Sequence, residues 1–141
     1  MVDFYFEKCA QLFDAKMIAS EFNSQKQKIH GLIAFCLGEG SVTEICKIFR
    51  EFWAIATRND EINTHLQAYY TIYTKKLSEI ISPIAVKTDT VQLIVSLLLP
   101  YFEGYSITAS ALPLDVKKIA QMLTNIVISI IEENSNQPVI E

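Results

Sequence analysis

The sequence predicts an all-α fold, a bundle of about six helices, and three observations carry that prediction. Apolar residues recur at steps of three and four along nearly the whole chain, with no alternating strand pattern. Half of the 141 residues are hydrophobic, a fifth are charged, and Gly and Pro are scarce at four each, a compact helix-rich composition. The stretch 89–112 is apolar on nearly every face, and such a helix must be covered on more than one side. Val91, Val95, Leu98, Phe102 and Tyr105 form its stripe, while Ile94, Leu97, Tyr101 and Ile107 occupy the other faces. A chain this short has few elements with which to cover it, so a second copy is expected to supply part of the cover. The sequence therefore predicts a homodimer through the last two helices.

Each element has its own signals. The first helix, 3–22, carries Val2, Phe6, Cys9, Phe13 and Met17 at helical spacing, and Phe4, Tyr5 and Phe6 stand almost at its start. A chain terminus is usually polar and frayed, so this one reads as beginning inside a helix. Asn23-Ser24 caps the second helix, 25–37, whose apolar residues are Ile29, Leu32, Ile33, Phe35 and Cys36. Gly38-Glu39-Gly40 stops it; this is no phosphate loop, because it follows a helix and lacks the third Gly or Lys. Ser41-Val42-Thr43-Glu44 reads as a capping box opening the helix 42–58, with Ile45, Phe49, Phe52, Trp53 and Ala56 inward.

Asn59-Asp60 then caps the helix 60–82, with Glu61 suited to the positive end of its dipole. Ile62, Leu66, Tyr69, Tyr73, Leu77 and Ile80 make its seam, with Tyr70 on the flank. Pro83 disfavours helical geometry at Ser82 and is expected to close it. Thr88 is expected to cap the helix 89–112. There Pro100 removes a backbone donor and predicts a bend, and Gly104 suggests a close backbone approach. Pro113 ends it. Asp115 caps a last helix, 115–133, bearing Val116, Ile119, Ala120, Leu123, Ile126, Val127, Ile130 and Ile131; from Glu132 onward a frayed polar tail is expected.

A length of 141 residues implies one domain, 1–141. Such a domain buries roughly 68% of its unfolded surface and needs no disulfide or metal staple. Net charge is −4, and the lysine pairs Lys26/Lys28, Lys75/Lys76 and Lys117/Lys118 lie close to acidic residues. A nucleic-acid binder would spread basic groups along one face, so this chain alone is not expected to bind DNA. Cys9, Cys36 and Cys46 include no C-x-x-C pair and read as reduced thiols. Asp3 and Glu7 follow Met1 where a signal peptide would be basic and then apolar, so a cytoplasmic location is expected. A membrane span needs about 20 uninterrupted apolar residues; Ser96, Pro100 and Glu103 interrupt the only candidate.

Three segments carry a resemblance. IFREFWAIATRNDEINTHLQAYYTIYTKKLSEII, with its charged turn and its spaced tyrosines, resembles the mid-chain helix pair of TetR-family transcriptional regulators. LLPYFEGYSI, with Glu103-Gly104, resembles that family's helix containing an acidic residue followed by glycine. LPLDVKKIAQMLTNIVISIIEE resembles its final helix. The family's N-terminal helix-turn-helix has no counterpart here, since nothing reads as a short helix, tight turn and recognition helix. The resemblance implies that the last two helices of each subunit form a four-helix dimer interface. It also implies that the preceding helices enclose a pocket for a small, mostly apolar effector, and that DNA is reached only through the missing helix-turn-helix.

No catalytic, metal or cofactor chemistry emerges. His30 and His65 are the two imidazoles, and His65, four residues after Glu61, reads as a surface helix pair. Zinc would need three or four convergent ligands, and no nucleophile elbow or paired-carboxylate motif is present, so no enzyme is expected. Phe35, Phe49, Trp53, Tyr69, Tyr73, Phe102 and Tyr105 remain as candidate ligand-binding residues. Aromatics at helical spacing are core more often than pocket. A buried phenol, however, needs a hydrogen-bond partner, which a pocket with water or ligand can supply. The rival expectation is a stand-alone helical interaction module with a solid core and no ligand.

Overall fold

The computed structural model describes residues 24–38, 43–135 and 139, together with positions 4, 7, 8, 10–12, 14 and 15 of the first segment; the side chains of 43–49 are not part of that description. The described positions of the first segment from Phe4 to Ala15 are helical. The remainder of the expected helix 3–22, the Ser41–Val42 half of the capping box, Cys9 and the side chain of Cys46 lie outside the described residues. Every regular element among the described residues is helical.

Helix α1 (Gln25–Cys36) begins at Ser24, whose extended backbone (φ −151°) lets its hydroxyl accept the Gln27 amide at 3.1 Å. It stops where Gly38 turns to φ +94°, a left-handed geometry that glycine adopts without steric cost. Helix α2 (Thr43–Ala56) is followed by α3 (Asp60–Ala85). Asn59 caps α3 by accepting the Ile62 amide at 3.1 Å, and Asp60 and Glu61 occupy its first turn.

The expected stop at Ser82 is overturned, since α3 runs through Pro83 to Ala85. Pro83 removes one amide, whereas the extra turn buries Ile84 and Ala85, and that burial decides the outcome. The reversal falls instead on Val86 (φ 67°, ψ −56°), where the Lys87 amide reaches the Ala85 carbonyl at 2.7 Å. This is a tight γ-turn on a β-branched residue, a strained arrangement.

Helix α4 (Thr88–Thr108) has Lys87 at its N-cap with no side-chain bond, so Thr88 is the first helical residue and not the cap. It passes through Pro100 and tightens into a 3₁₀ turn, Ala109–Ala111. Nothing among the described residues lies within 4 Å of a Cβ built on Gly104, so the expected close backbone approach is absent there. Helix α5 (Val116–Ser135) is capped by Asp115, which accepts the Lys118 amide at 2.9 Å. The tail expected to fray at Glu132 stays helical to Ser135, and Val139 is buried with its amide on the Glu132 carboxylate at 3.0 Å.

Helix α1 packs on α5, α3 lies against α4, and α2 lies against α3; α4 and α3 also touch α5. The continuous core is built from Ile29, Leu32 and Ile33 of α1, Leu77, Ile81 and Ile84 of α3, Ile94 and Leu98 of α4, and Leu123 and Val127 of α5. Helix α4 buries Val91, Val95 and Phe102 on this side, while Leu93 remains 55% exposed on another. Met122 and Ile126 of α5 are also exposed. By length and composition the stretch Thr88–Ala111 could cross a membrane, but its inner face is packed against α3 and α5 and Glu103 lies within it.

Candidate ligand-binding cavity

A cavity of about 540 Å³ opens between the first segment, α1, α2, α3 and the second half of α4, within the ~300–1,000 Å³ range of small-molecule sites. Each wall follows from a helical register. Helix α3 offers Tyr69, Tyr70, Ile72, Tyr73 and Lys76, and α4 offers Leu99, Pro100, Phe102, Glu103, Gly104, Ser106 and Ile107. The end of α1 contributes Phe35 and Cys36, α2 contributes Arg50 and Trp53, and Ala10 of the first segment touches the space as well.

Of the residues singled out in the sequence, Phe35, Trp53, Tyr69, Tyr73 and Phe102 line this cavity. Tyr105 does not. It lies in an adjoining hollow of about 360 Å³ beside Leu37, Gly38 and Val116, which shares Cys36, Arg50 and Phe102 with the first, and its ring stacks on Tyr101 at 6.3 Å. The side chain of Phe49 lies outside the described residues. Trp53, expected inward, is 48% exposed while its neighbour Phe52 is buried, because adjacent helical positions are about 100° apart and cannot both face the core.

Three side chains from three helices form a polar chain at the site. The Trp53 indole N–H donates to the Tyr70 hydroxyl, and that hydroxyl donates to Glu103 Oε2 at 2.8 Å. Burial pushes the Glu103 carboxyl above its usual range, partly offset by the Tyr70 hydrogen bond. The Tyr70 phenol is pushed well up, first by burial and then by the neighbouring Glu103 charge. Tyr73 is raised as well, by burial and then by the Cys36 thiol beside it. The Tyr69 ring meets Tyr70 at 5.5 Å in a tilted pair and Tyr73 at 5.8 Å edge-on, geometries that suit aromatic quadrupoles. At the rim, Lys76 Nζ is held by both carboxylate oxygens of Asp14 at 2.8 and 3.0 Å, which ties the first segment to a cavity residue.

Tyr70 and Glu103 are the site residues that reading the sequence missed. They are 33 positions apart and meet only through the packing of α3 on α4. The available signal was Glu103 itself, the one carboxylate of α4 beyond its first turn. Among the described residues no group of His, Cys, Asp and Glu could hold a metal ion.

No family model and no solved structure matches the chain. It is 37% identical over 129 residues to a Xanthobacter autotrophicus protein named as an uncharacterized HTH-type transcriptional regulator in the dhlA 5′ region. The match covers 91% of this chain and 64% of that relative, so the chain spans less than two thirds of the relative's length. The chain is thus a homologue of a protein named as a transcriptional regulator.

Proposed function

We propose that this chain is the effector-sensing and dimerisation part of a TetR-like transcriptional regulator, acting in the cytoplasm on a small, mostly apolar ligand. The observation that carries this reading is the aromatic-walled cavity bordered by the polar chain Trp53–Tyr70–Glu103. A solid bundle would have favoured the interaction module. The homology supports a regulatory role, and about a third of the relative lies outside the match. We assign the relative's helix-turn-helix to that third, so this polypeptide alone is expected not to bind duplex DNA. Its net charge of −4 agrees with that expectation.

The exposed Leu93, Met122 and Ile126 of α4 and α5 support a two-fold homodimer through these helices. Exposing large aliphatic side chains forgoes ~1.5–3 kcal/mol each. A ligand shifts a conformation only as far as it prefers one state over another. Here Ala10 touches the cavity and Asp14 grips Lys76 on its rim, so the first segment is the element that ligand entry would displace.

Trp53 is the only tryptophan and borders the cavity, which gives a direct experiment. A panel of hydrophobic ligands should change its fluorescence saturably and raise the melting temperature. Trp53→Phe combined with Tyr73→Phe should weaken binding while the dimer persists. If no ligand moves either signal, the interaction-module reading replaces this one.

A further inference from the structure

We propose that the ligand of this cavity is a lipophilic monocation, its positive end held by Glu103 and the surrounding aromatic faces. This deepens the effector reading and rests on it. Four observations converge. Glu103 lines the cavity, and the one hydrogen bond to its carboxylate among the described residues, from Tyr70, engages Oε2. No buried side-chain oxygen among the described residues lacks a partner, so Oε1 is not sealed in the core, and the open space that Glu103 lines is the cavity. No described cation neutralises this carboxylate: Lys76 is occupied by Asp14, and Arg50 is exposed at the rim. Four aromatic side chains, Trp53, Tyr70, Tyr73 and Phe102, border the same space.

A carboxylate in such a place is poorly solvated, and burial has already moved its proton equilibrium toward the neutral form. The occupants differ in what they do to it. A neutral apolar ligand displaces water and leaves the carboxylate more desolvated. An anion adds like-charge repulsion. A cation restores a counter-charge in a low-dielectric site, where the attraction is strongest, and its exposed sides meet aromatic rings whose faces attract positive charge. The remaining lining, Ile72, Leu99 and Ile107, suits an alkyl or aryl body.

The test compares three probes of one chain length on the full 141-residue chain: decyltrimethylammonium, 1-decanol and decanoate, all below micellar concentration. Binding is read by calorimetry and Trp53 fluorescence. Decyltrimethylammonium should bind at least tenfold more tightly than 1-decanol, with decanoate weakest. Glu103→Gln should remove that tenfold preference by weakening decyltrimethylammonium without weakening 1-decanol, while Glu103→Asp retains part of it. Should Glu103→Gln fail to fold, the wild-type order of the three probes still decides. Equal binding of cation and alcohol overturns the inference and leaves the effector reading standing. Decanoate binding tightest overturns it in favour of Arg50 and Lys76 as anchors. Binding of none of the three overturns both readings.

Discussion

Gly104→Ala probes whether the space around the second half of α4 is open. Gly104 sits inside the helix and borders the cavity, and among the described residues a Cβ there meets nothing within 4 Å. With no steric term, the change reduces to the helix propensity gap between Gly and Ala, ~0.8–1.0 kcal/mol in favour of Ala. Unfolding 141 residues carries an entropy of roughly 0.3 kcal/mol/K at the midpoint, so the expected gain is about 3 °C in Tm. A methyl group occupies little of the 540 Å³, and ligand binding should survive. The assay is a thermal melt followed by circular dichroism at several protein concentrations. A Tm that falls would refute the reasoning, because it would mean that something presses on Gly104. If the fall deepened with dilution, that something would be the second subunit.

Three other outcomes are expected. Val86→Gly should raise Tm by a few degrees, because it releases a strained left-handed turn costing ~1–3 kcal/mol against the ~0.5–1 kcal/mol entropic cost of glycine; Val86→Ala, which keeps the strain, should not. Glu103→Gln should stabilise the protein at pH 7 and progressively less toward pH 4. The sign follows from the raised carboxyl: the folded state holds that proton more tightly, so stability is greatest below the ordinary carboxyl range and falls as pH rises through the folded value. The melting difference between variant and wild type across pH checks it. Leu93→Glu with Ile126→Glu places charges on the exposed faces of α4 and α5 and should convert the sedimenting species to monomer without loss of helix content.

The fold was legible wherever a local signal acts alone. Ser24, Asn59 and Asp115 cap helices through bonds to amides three residues on, so short polar residues before an apolar run sufficed to place them. Pro83 misled because its local preference competes with the burial of Ile84 and Ala85, a tertiary effect that three neighbouring letters do not contain. The same reason hid Val139, which joins the apolar core while its amide donates to the Glu132 carboxylate. In the candidate site, Tyr69, Tyr73 and Phe102 followed from helical spacing. Tyr70 and Glu103 needed the relative rotation of two helices, which a spacing rule does not supply.

The distribution of packing explains why the cavity lies where it does. The C-terminal half of α3 and the first part of α4 close against α1 and α5 through Leu77, Ile81, Ile94 and Leu98, all essentially inaccessible. At the N-terminal half of α3, which faces α2, the buried Phe52, Leu66 and Tyr69 stand outside the continuous core of the described residues. Along α4 the lining passes from aliphatic residues to Pro100, Phe102 and Glu103, which border the cavity opposite the tyrosines of α3. Among the described residues, the continuous core gathers at one end of α3 and the cavity borders the other. Substitutions within the Trp53–Tyr70–Glu103 chain should alter ligand affinity at small cost to folding. Leu98→Ala, in the closed end, should instead cost ~2–5 kcal/mol and leave the cavity walls named above unchanged.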